Sequence, residues 1–314
     1  MAPAMTLAVV GSVAFDAVQT PFGERERMLG GSATHFSLAA SFYTGVRIVG
    51  VVGDDFGPAE VAVLEARGVD TEDLERVAGR TFFWRGRYDY DVNVAHTLDT
   101  QLNVFAEFQP KPSPASRDAE TLFLGNIQPG LQAAVRRECT GATLAGIDSM
   151  KLWIDTQREA LLEAIATVDA VLLNDAEVRS LTREPNTVVA ARKLSDLGPR
   201  FVVVKRGEYG AALFSEHGFF AIPGYPLETV VDPTGAGDSF AGGFFGYLDG
   251  HGQDLSDGSL RRAMAVGSVM ASFNVEGFGT ERVAALTEAE IRERFQAFRA
   301  MMNVAELELD ADLR

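Results

Sequence analysis

The chain of 314 residues has little of several residue types that mark particular classes of protein. Cys139 is its only cysteine, which excludes an intrachain disulfide and a cysteine-based zinc cluster. Lysine occurs only at Lys111, Lys151, Lys193 and Lys205, and the formal net charge is -16. Such a surface repels a phosphate backbone, so nucleic acid is not the expected partner.

Long apolar runs and familiar phosphate-binding motifs are also missing. No run is long enough to cross a bilayer, and the first residues lack the cationic segment of a signal peptide. We therefore expect a cytoplasmic protein with no membrane partner. No Gly-x-x-x-x-Gly-Lys loop occurs, and no Gly-x-Gly-x-x-Gly opens a helix after a strand. A phosphate site in this chain must use other backbone amides.

Short apolar runs alternate with stretches of helical periodicity along most of the chain. Strands are predicted at 7–12, 121–125, 143–148, 170–173 and 201–204, and helices at 129–139, 153–167, 260–273 and 287–302, with an acidic tail after the last helix. This alternation predicts an α/β protein with a mostly parallel sheet, whose ligands bind at the carboxyl ends of the strands. We expect one domain over residues 1–314.

The segment 230–248 is the most informative part of the sequence. Two valines end a strand, Asp232-Pro233-Thr234-Gly235-Ala236-Gly237 forms a tight turn, and a helix is predicted from Asp238 onward. The free amides at the start of that helix, from about Gly235 to Asp238, would form an anion hole at the positive end of the helix dipole. Asp238 fits two interpretations, either a carboxylate that complements the dipole or a general base for an attacking hydroxyl.

The nine residues 232–240 resemble the C-terminal signature of the PfkB/ribokinase family of sugar and nucleoside kinases. The resemblance implies a three-layer ribokinase-like fold, with a central, mostly parallel sheet flanked by helices. It also implies a small β lid from about 15–28 and 81–108. Period-two alternation of charged and aromatic residues from Trp84 to Asp91 independently indicates lid strands. In this family the Asp238 position is the base and residues 235–237 are the anion hole.

The resemblance extends to the N-terminal part of the chain, where it implies an acceptor site. Asp16 corresponds to an aspartate that binds substrate hydroxyls, although by itself it is also consistent with a surface aspartate at a strand end. Gly30 and Gly31, followed by Ser32, open a helix of small residues at which backbone meets substrate. The family commonly has Asn where this chain has His35, so His35 is either a substrate contact or a hydrogen-bonded core histidine.

The remaining site residues are predicted at the nucleotide end. Asn174 and Glu177 resemble an Asn-x-x-Glu motif in which the glutamate holds Mg²⁺ through water, and alone they would be read as a helix N-cap. Lys205 precedes a glycine turn that the family places near the ATP phosphates, and a solvated surface cation is the alternative. Further cofactor contacts implied by the resemblance are at Gly207, Gly210, Thr234, Gly267 and Asn274, with K⁺ as a candidate second cation.

These observations favour an ATP- and Mg²⁺-dependent kinase that phosphorylates a primary hydroxyl of a small sugar. A nucleoside kinase of the same fold, adenosine- or cytidine-like, is the alternative, and a non-catalytic small-molecule sensor is a third. The aromatic lid residues would stack on a sugar or nucleobase, or else pack against a second lid in a homodimer.

Overall fold

The computed structural model describes residues 5–303, which form two β-sheets with helices. The residues before 5 and the acidic tail after 303 lie outside the described part. The strands are β1 (Met5–Val10), β2 (Ala14–Thr20), β3 (Gly23–Gly30), β4 (Gly45–Val52), β5 (Leu74–Arg76), β6 (Phe82–Tyr88), β7 (Ala95–Gln101), β8 (Thr121–Leu124), β9 (Leu144–Ile147), β10 (Ala170–Asn174), β11 (Phe201–Lys205), β12 (Ala211–Ser215) and β13 (Gly218–Ile222).

The α-helices lie between and after these strands. They are α1 (Ser32–Ala40), α2 (Pro58–Glu65), α3 (Pro114–Arg117), α4 (Pro129–Glu138), α5 (Lys151–Thr156), α6 (Arg158–Ile165), α7 (Asp175–Thr182), α8 (Thr187–Ser195), α9 (Ala236–Gly250), α10 (Asp257–Asn274), α11 (Glu281–Ala284) and α12 (Glu288–Met301). Within residues 5–303, no helix has the length and apolar character needed to cross a membrane.

The main sheet has nine strands in the order β13-β12-β11-β10-β9-β8-β1-β4-β5. All neighbours are parallel except β11-β12 and β12-β13, which are antiparallel, with β12 and β13 forming a hairpin at one edge. Successive strand residues face opposite sides. Val9 therefore packs in one core with α1, α9 and α10, while Val10 packs in the other core with α4, α6, α7 and α8. The predicted three-layer α/β architecture is confirmed.

The second sheet has the order β3-β2-β6-β7 and occupies the two stretches predicted to form the lid. Strands β2 and β6 are parallel, and the outer pairs are antiparallel. In the second lid stretch, 81–108, the return strand occupies 95–101 and a 3₁₀ turn follows over 103–107. We call these four strands the lid sheet.

Two helix boundaries also differ from expectation. The helix predicted at 153–167 is two helices, because Gln157 has φ -140° and leaves the helical region. The helix expected from Asp238 begins two residues earlier, at Ala236, because Gly235 adopts φ 74° and supplies the sharp reversal ahead of it. Asp238 is therefore the third residue of α9.

Close helix packing fixes α9 within the fold. A Cβ at Gly246 would lie 2.9 Å from the Cα of Ala40, and a Cβ at Gly243 would lie 3.2 Å from the Cα of Gly267. Glycine is needed at these positions because the backbones of α1 and α10 approach α9 so closely. The start of α9 is thus held in a constant position relative to the sheet.

Candidate active site

The turn at the start of α9 presents free backbone amides, as predicted. Ala236 N–H donates to the Pro233 carbonyl at 3.2 Å, so its amide is already used. The amides of Gly235, Gly237 and Asp238 donate no hydrogen bond to any residue in 5–303. Together with the positive end of the α9 dipole, these three amides can receive an anion.

Asp238 is half-buried beside this turn. Burial, and after it the nearby Asp148 carboxylate, raise the pKa of its carboxyl to about 7, although the Lys205 ammonium opposes both effects. A carboxyl with a pKa near neutrality is well matched to accept a proton from an alcohol. Its role as the base stays a prediction that the geometry supports.

Lys205 ends β11 and is held by Asp148, which follows β9 directly. The Lys205 Nζ lies 2.6 Å from Asp148 Oδ2, and the side chains are only 15% and 7% exposed. A Cβ at Gly237 would lie 3.0 Å from the same Nζ, so the ammonium is beside the anion-binding turn. Burial lowers the pKa of Lys205, but Asp148, Glu177 and Asp238 together raise it, so the side chain stays charged.

Sequence reasoning missed Asp148 as a site residue. Its position after a buried strand was visible in the sequence, as was that of Lys205 at the end of β11. Carboxyl ends of parallel strands lie along one edge of a sheet, so the two were candidates for a pair. What the sequence could not show was that β9 and β11 lie on either side of β10.

Asn174 and Glu177 form a reciprocal cap at the start of α7. Asn174 N–H donates to Glu177 Oε2 at 2.8 Å, and Glu177 N–H donates to Asn174 Oδ1 at 2.9 Å. The N-cap interpretation is therefore confirmed, and it leaves Glu177 Oε1 for another partner. Burial, together with Asp148, raises the pKa of Glu177 to about 7, while Lys205 lowers it.

The donor set at this end of the site suits Mg²⁺. Within residues 5–303, no three His, Cys, Asp or Glu side chains are arranged to enclose a metal directly. The carboxylates of Glu177, Asp148 and Asp238 nevertheless act on one ammonium. Burial, and after it the charge of Asp148, raise the pKa values of Glu177 and Asp238. Mg²⁺ keeps several of its waters and needs few carboxylates, so a contact through water fits these residues.

The acceptor residues surround Asp16 on β2. Asp16 is 5% exposed, and a Cβ at Gly30 would collide with its carboxylate. Burial first, and then the charges of Asp232 and Asp238, raise the pKa of Asp16 to about 7, while a hydrogen bond from the Gly31 amide opposes them. Gly31 has φ 95°, a conformation that favours glycine.

Ser32, which is predicted at the substrate site, is bonded to Ser12 in the structure. Its hydroxyl accepts from Ser12 N–H at 3.1 Å, and its own N–H donates to Ser12 Oγ at 3.0 Å. The pair closes the β1–β2 loop onto α1, and Ser32 is 7% exposed. Its hydroxyl therefore serves the protein framework.

His35, Asn274 and Gly267 lie below the open face of the site. His35 is 2% exposed and Asn274 is fully buried, and their side chains are joined by a 2.9 Å hydrogen bond. Asn274 was expected to contact the cofactor, but its amide is used within the protein, because its Nδ2 donates to the Thr234 carbonyl at 2.7 Å. Gly267 is buried where α10 meets Phe240 of α9. Direct cofactor contact by Gly267 or Asn274 therefore stays a prediction, and in the structure both residues serve packing and hydrogen bonding within the protein.

The remaining predicted residues shape the turns around the site. Gly207 and Gly210 have φ 57° and 87° and form the reversal after Lys205. Thr234 Oγ1 donates to Tyr88 Oη of the lid sheet at 3.2 Å. Asp232, in the same turn, is fully buried and accepts the amides of Thr234 and Gly279, each at 3.0 Å.

Comparison with known proteins agrees with this geometry. A family model described as pfkB family carbohydrate kinase matches residues 6–285. A cytidine kinase of Thermococcus kodakarensis is 30% identical over 253 residues, which are 78% of this chain and 90% of that protein. An ATP-dependent ribose-1-phosphate kinase of Halopiger xanaduensis is 30% identical over 273 residues, which are 85% and 87% of the two chains.

Solved structures share the fold. The nucleoside kinase of Burkholderia thailandensis in complex with inosine has a TM-score of 0.77 at 21% identity, with 93% of this chain and 97% of that one covered. An E. coli structure that holds ATP and Mg²⁺ has a TM-score of 0.76 at 19% identity, with coverage of 93% and 99%. The predicted ribokinase-like fold is thereby confirmed, and the chain belongs to the pfkB family of carbohydrate and nucleoside kinases, which are ATP-dependent phosphotransferases.

Proposed function

We propose that this chain transfers the γ-phosphoryl group of ATP to a primary hydroxyl of a small sugar. The observation that carries the proposal is the place of Asp238, a carboxyl with a pKa near 7 beside the free amides of Gly235 and Gly237. An ordinary helix-capping carboxylate would be well solvated and fully ionised. Asp238 instead combines a raised pKa with an adjacent anion-binding turn, which is what a base for phosphoryl transfer requires.

In the proposed reaction the acceptor hydroxyl gives its proton to Asp238 as its oxygen attacks the γ-phosphorus. The new P–O bond forms, the bond from that phosphorus to the bridging oxygen breaks, and ADP leaves. The Gly235 and Gly237 amides donate to the phosphoryl oxygens while charge is redistributed among them. Lys205, oriented by Asp148, adds a positive charge beside the same turn.

ATP and Mg²⁺ would occupy the end of the site that carries Lys205 and Glu177. Mg²⁺ supplies neutralisation of the phosphate oxygens when it is bound. Glu177 would hold it through water, and the turn that contains Gly207 and Gly210, directly after Lys205, would lie beside the triphosphate. Activation by a monovalent cation stays a prediction for the loop that contains Asp232 and Thr234.

The acceptor would be clamped by Asp16, which can receive two neighbouring hydroxyl groups. Asp16 pairs with Trp84 in the neighbouring strand, so both side chains project from one face of the lid sheet. An indole beside a hydroxyl-binding carboxylate suits an acceptor with a flat face. This arrangement, with the cytidine kinase and nucleoside kinases among the relatives, makes a nucleoside the second candidate.

A coupled assay of ADP release tests the proposal with ribose, deoxyribose, ribose 1-phosphate, cytidine, adenosine and inosine as acceptors. We expect ADP release that depends on one acceptor class, with ³¹P NMR showing a phosphomonoester on a primary carbon. Release with free sugars alone supports the sugar kinase, and release with nucleosides supports the second candidate. Tight acceptor binding without ADP release would support the sensor and contradict the kinase.

A further inference from the structure

His35 lies directly beneath the anion-binding turn. A Cβ at Gly235 would collide with three atoms of the imidazole ring, Cγ, Cδ2 and Cε1, so the ring face supports the Cα of Gly235. His35 belongs to α1, which is buried along its whole length, and the ring is therefore held by the fold. The conformation of the turn, with Gly235 at φ 74°, is thus set partly by a side chain 200 residues away in the sequence.

The hydrogen bonds around His35 determine which ring nitrogen carries the proton. Asn274 Nδ2 donates to the Thr234 carbonyl, which fixes the orientation of the Asn274 side-chain amide. The atom that faces His35 and Ser239 is therefore Oδ1, which can only accept hydrogen bonds. Ser239 Oγ donates to this oxygen at 3.0 Å, and His35 Nδ1 lies 2.9 Å from it. His35 Nδ1 is therefore the N–H donor, and Nε2 carries no proton.

The same network ties three parts of the turn together. Thr234 precedes Gly235, Ser239 lies one turn into α9, and both are bonded to Asn274. His35 contacts Gly235 by its ring and Asn274 by its Nδ1. A shift of the imidazole would therefore move the turn at Thr234, Gly235 and Ser239 together.

His35 remains neutral in this setting. Its Nε2 is buried and has no hydrogen-bond partner among the described residues, so a proton on it would be unsatisfied. Burial lowers the pKa of His35 to about 4, and the bond to Asn274 only partly opposes this effect. His35 thus places no positive charge beneath the turn at neutral pH. It can act on the turn only through the contact of its ring with Gly235 and the hydrogen bond of its Nδ1 to Asn274.

We propose that His35 is a positioning residue for phosphoryl transfer: its imidazole supports Gly235 from below and, through Asn274, fixes the direction of the amides that receive the phosphoryl group. This inference rests on the proposed function of the turn as an anion hole. It replaces a direct substrate contact, because His35 is 2% exposed and its ring is covered by the turn itself.

Two substitutions separate the two contacts of His35. His35→Asn keeps an amide nitrogen near the position of Nδ1, and so keeps the bond to Asn274, but it removes the ring under Gly235. His35→Phe keeps a flat ring and loses the bond. His251→Asn is the matched control, since His251 also has one Nδ1 bond, to the Tyr247 carbonyl at 2.8 Å, and stacks on Tyr247 at the far end of α9.

With the full-length enzyme and its best acceptor, we expect His35→Asn and His35→Phe to lower kcat by at least about tenfold. We expect the KM of the acceptor to change by less than about threefold, because the turn acts on the transition state. His251→Asn should alter the melting temperature and leave kcat unchanged. Unchanged kcat in both folded His35 variants, with only a lower melting temperature, would show a purely structural residue and overturn the proposal.

A double-mutant cycle adds a readout that general destabilisation does not mimic. Gly235→Ala should lower kcat strongly, because the new methyl group collides with the imidazole ring of His35. In a His35→Ala background the ring is absent, so the same substitution should lower kcat much less. Additive effects would contradict the contact. Failure of the proposed function would look different, since wild-type protein itself would then release no ADP with any acceptor.

Discussion

At the scale of single residues, the site concentrates charge around one ammonium group. Lys205 is bonded to Asp148 and is influenced by Glu177 and Asp238. Burial, and after it repulsion from the neighbouring Asp148 carboxylate, raise the pKa of Asp238 and of Glu177 to about 7. Binding of a magnesium nucleotide would relieve this imbalance, which links ligand binding to proton release.

Asp148→Asn tests this charge arrangement. The Asp148 charge raises the pKa of Asp238, so its removal lets the pKa of Asp238 fall toward its ordinary value. The base is then ionised at lower pH, and the acidic limb of the kcat/KM profile moves toward lower pH. Lys205 also loses its 2.6 Å partner, so we expect kcat to drop by about tenfold. Initial rates between pH 5 and 9 measure both effects.

Asp155→Asn is the control for this variant, since Asp155 pairs with Lys151 at 2.7 Å on the exposed face of α5. It should leave the profile and the rate as in wild type. An acidic limb that stays in place in Asp148→Asn would mean that Asp148 does not act on the base.

At the scale of elements, the two ends of α9 have different roles. Its first turn carries the anion-binding amides, and its last turn carries Asp249, which is buried near the starts of β1, β4 and β8. Three threonine hydroxyls donate to the Asp249 carboxylate: Thr6 at 2.6 Å, Thr44 at 2.5 Å and Thr121 at 2.6 Å. This network joins the C-terminal end of α9 to the amino-terminal edge of the main sheet, and so helps to fix the direction of the helix.

Asp249→Ala should lower the free energy of unfolding by about 2–4 kcal/mol, because it removes the acceptor of the buried Thr44 and Thr121 hydroxyls and of the half-buried Thr6 hydroxyl. Urea unfolding followed by circular dichroism measures the loss. Asp155→Ala, in an exposed pair, should change stability by less than about 0.5 kcal/mol. A loss equally small in Asp249→Ala would show that the threonine network does not stabilise the fold.

The same elements show what a sequence can and cannot predict. The turn at Gly235 was predictable because its strand, glycines and acidic residue are contiguous, and local backbone chemistry decides their conformation. The hairpin β12–β13 was predictable for the same reason. The Asp148–Lys205 pair depends on strand order, and the His35–Asn274 bond joins residues 239 apart, so both require the assembled fold. The family resemblance implied that Gly267 and Asn274 contact the cofactor. In the structure, Gly267 lies where α10 packs against α9, and Asn274 is hydrogen-bonded to the anion-binding turn.

At the scale of the whole molecule, β6 of the lid sheet and the β6–β7 loop make hydrogen bonds to two turns of the site. Tyr88 Oη accepts from Thr234 Oγ1 at 3.2 Å, and Asn93 Nδ2 donates to Glu208 in the turn after β11 at 3.2 Å. The lid therefore contacts both the anion-binding turn and the proposed nucleotide turn. Exclusion of water by such a cover would limit hydrolysis of ATP. Association through the lids of two copies stays a prediction.

Tyr88→Phe removes the hydroxyl that links the lid sheet to Thr234. One neutral hydrogen bond corresponds to about 0.5–1.5 kcal/mol. We therefore expect the ratio of acceptor-independent ATP hydrolysis to phosphoryl transfer to rise about threefold or more. Parallel measurement of ADP and phosphorylated product gives this ratio. Tyr90→Phe is the control, since Tyr90 follows β6 directly and is 91% exposed. An equal rise of the ratio in both variants would show that the Tyr88–Thr234 hydrogen bond does not limit ATP hydrolysis.

Asp238→Asn tests the central claim most directly. The matched control is Asp257→Asn, since Asp257 is also an acidic residue in the first turn of a helix, paired with Arg261 on the surface of α10. If Asp238 is the general base, kcat with the best acceptor falls by about 10²–10⁴-fold in Asp238→Asn, while circular dichroism and nucleotide affinity stay near wild type. The control keeps wild-type turnover. A folded Asp238→Asn enzyme with kcat within about threefold of wild type would contradict the account.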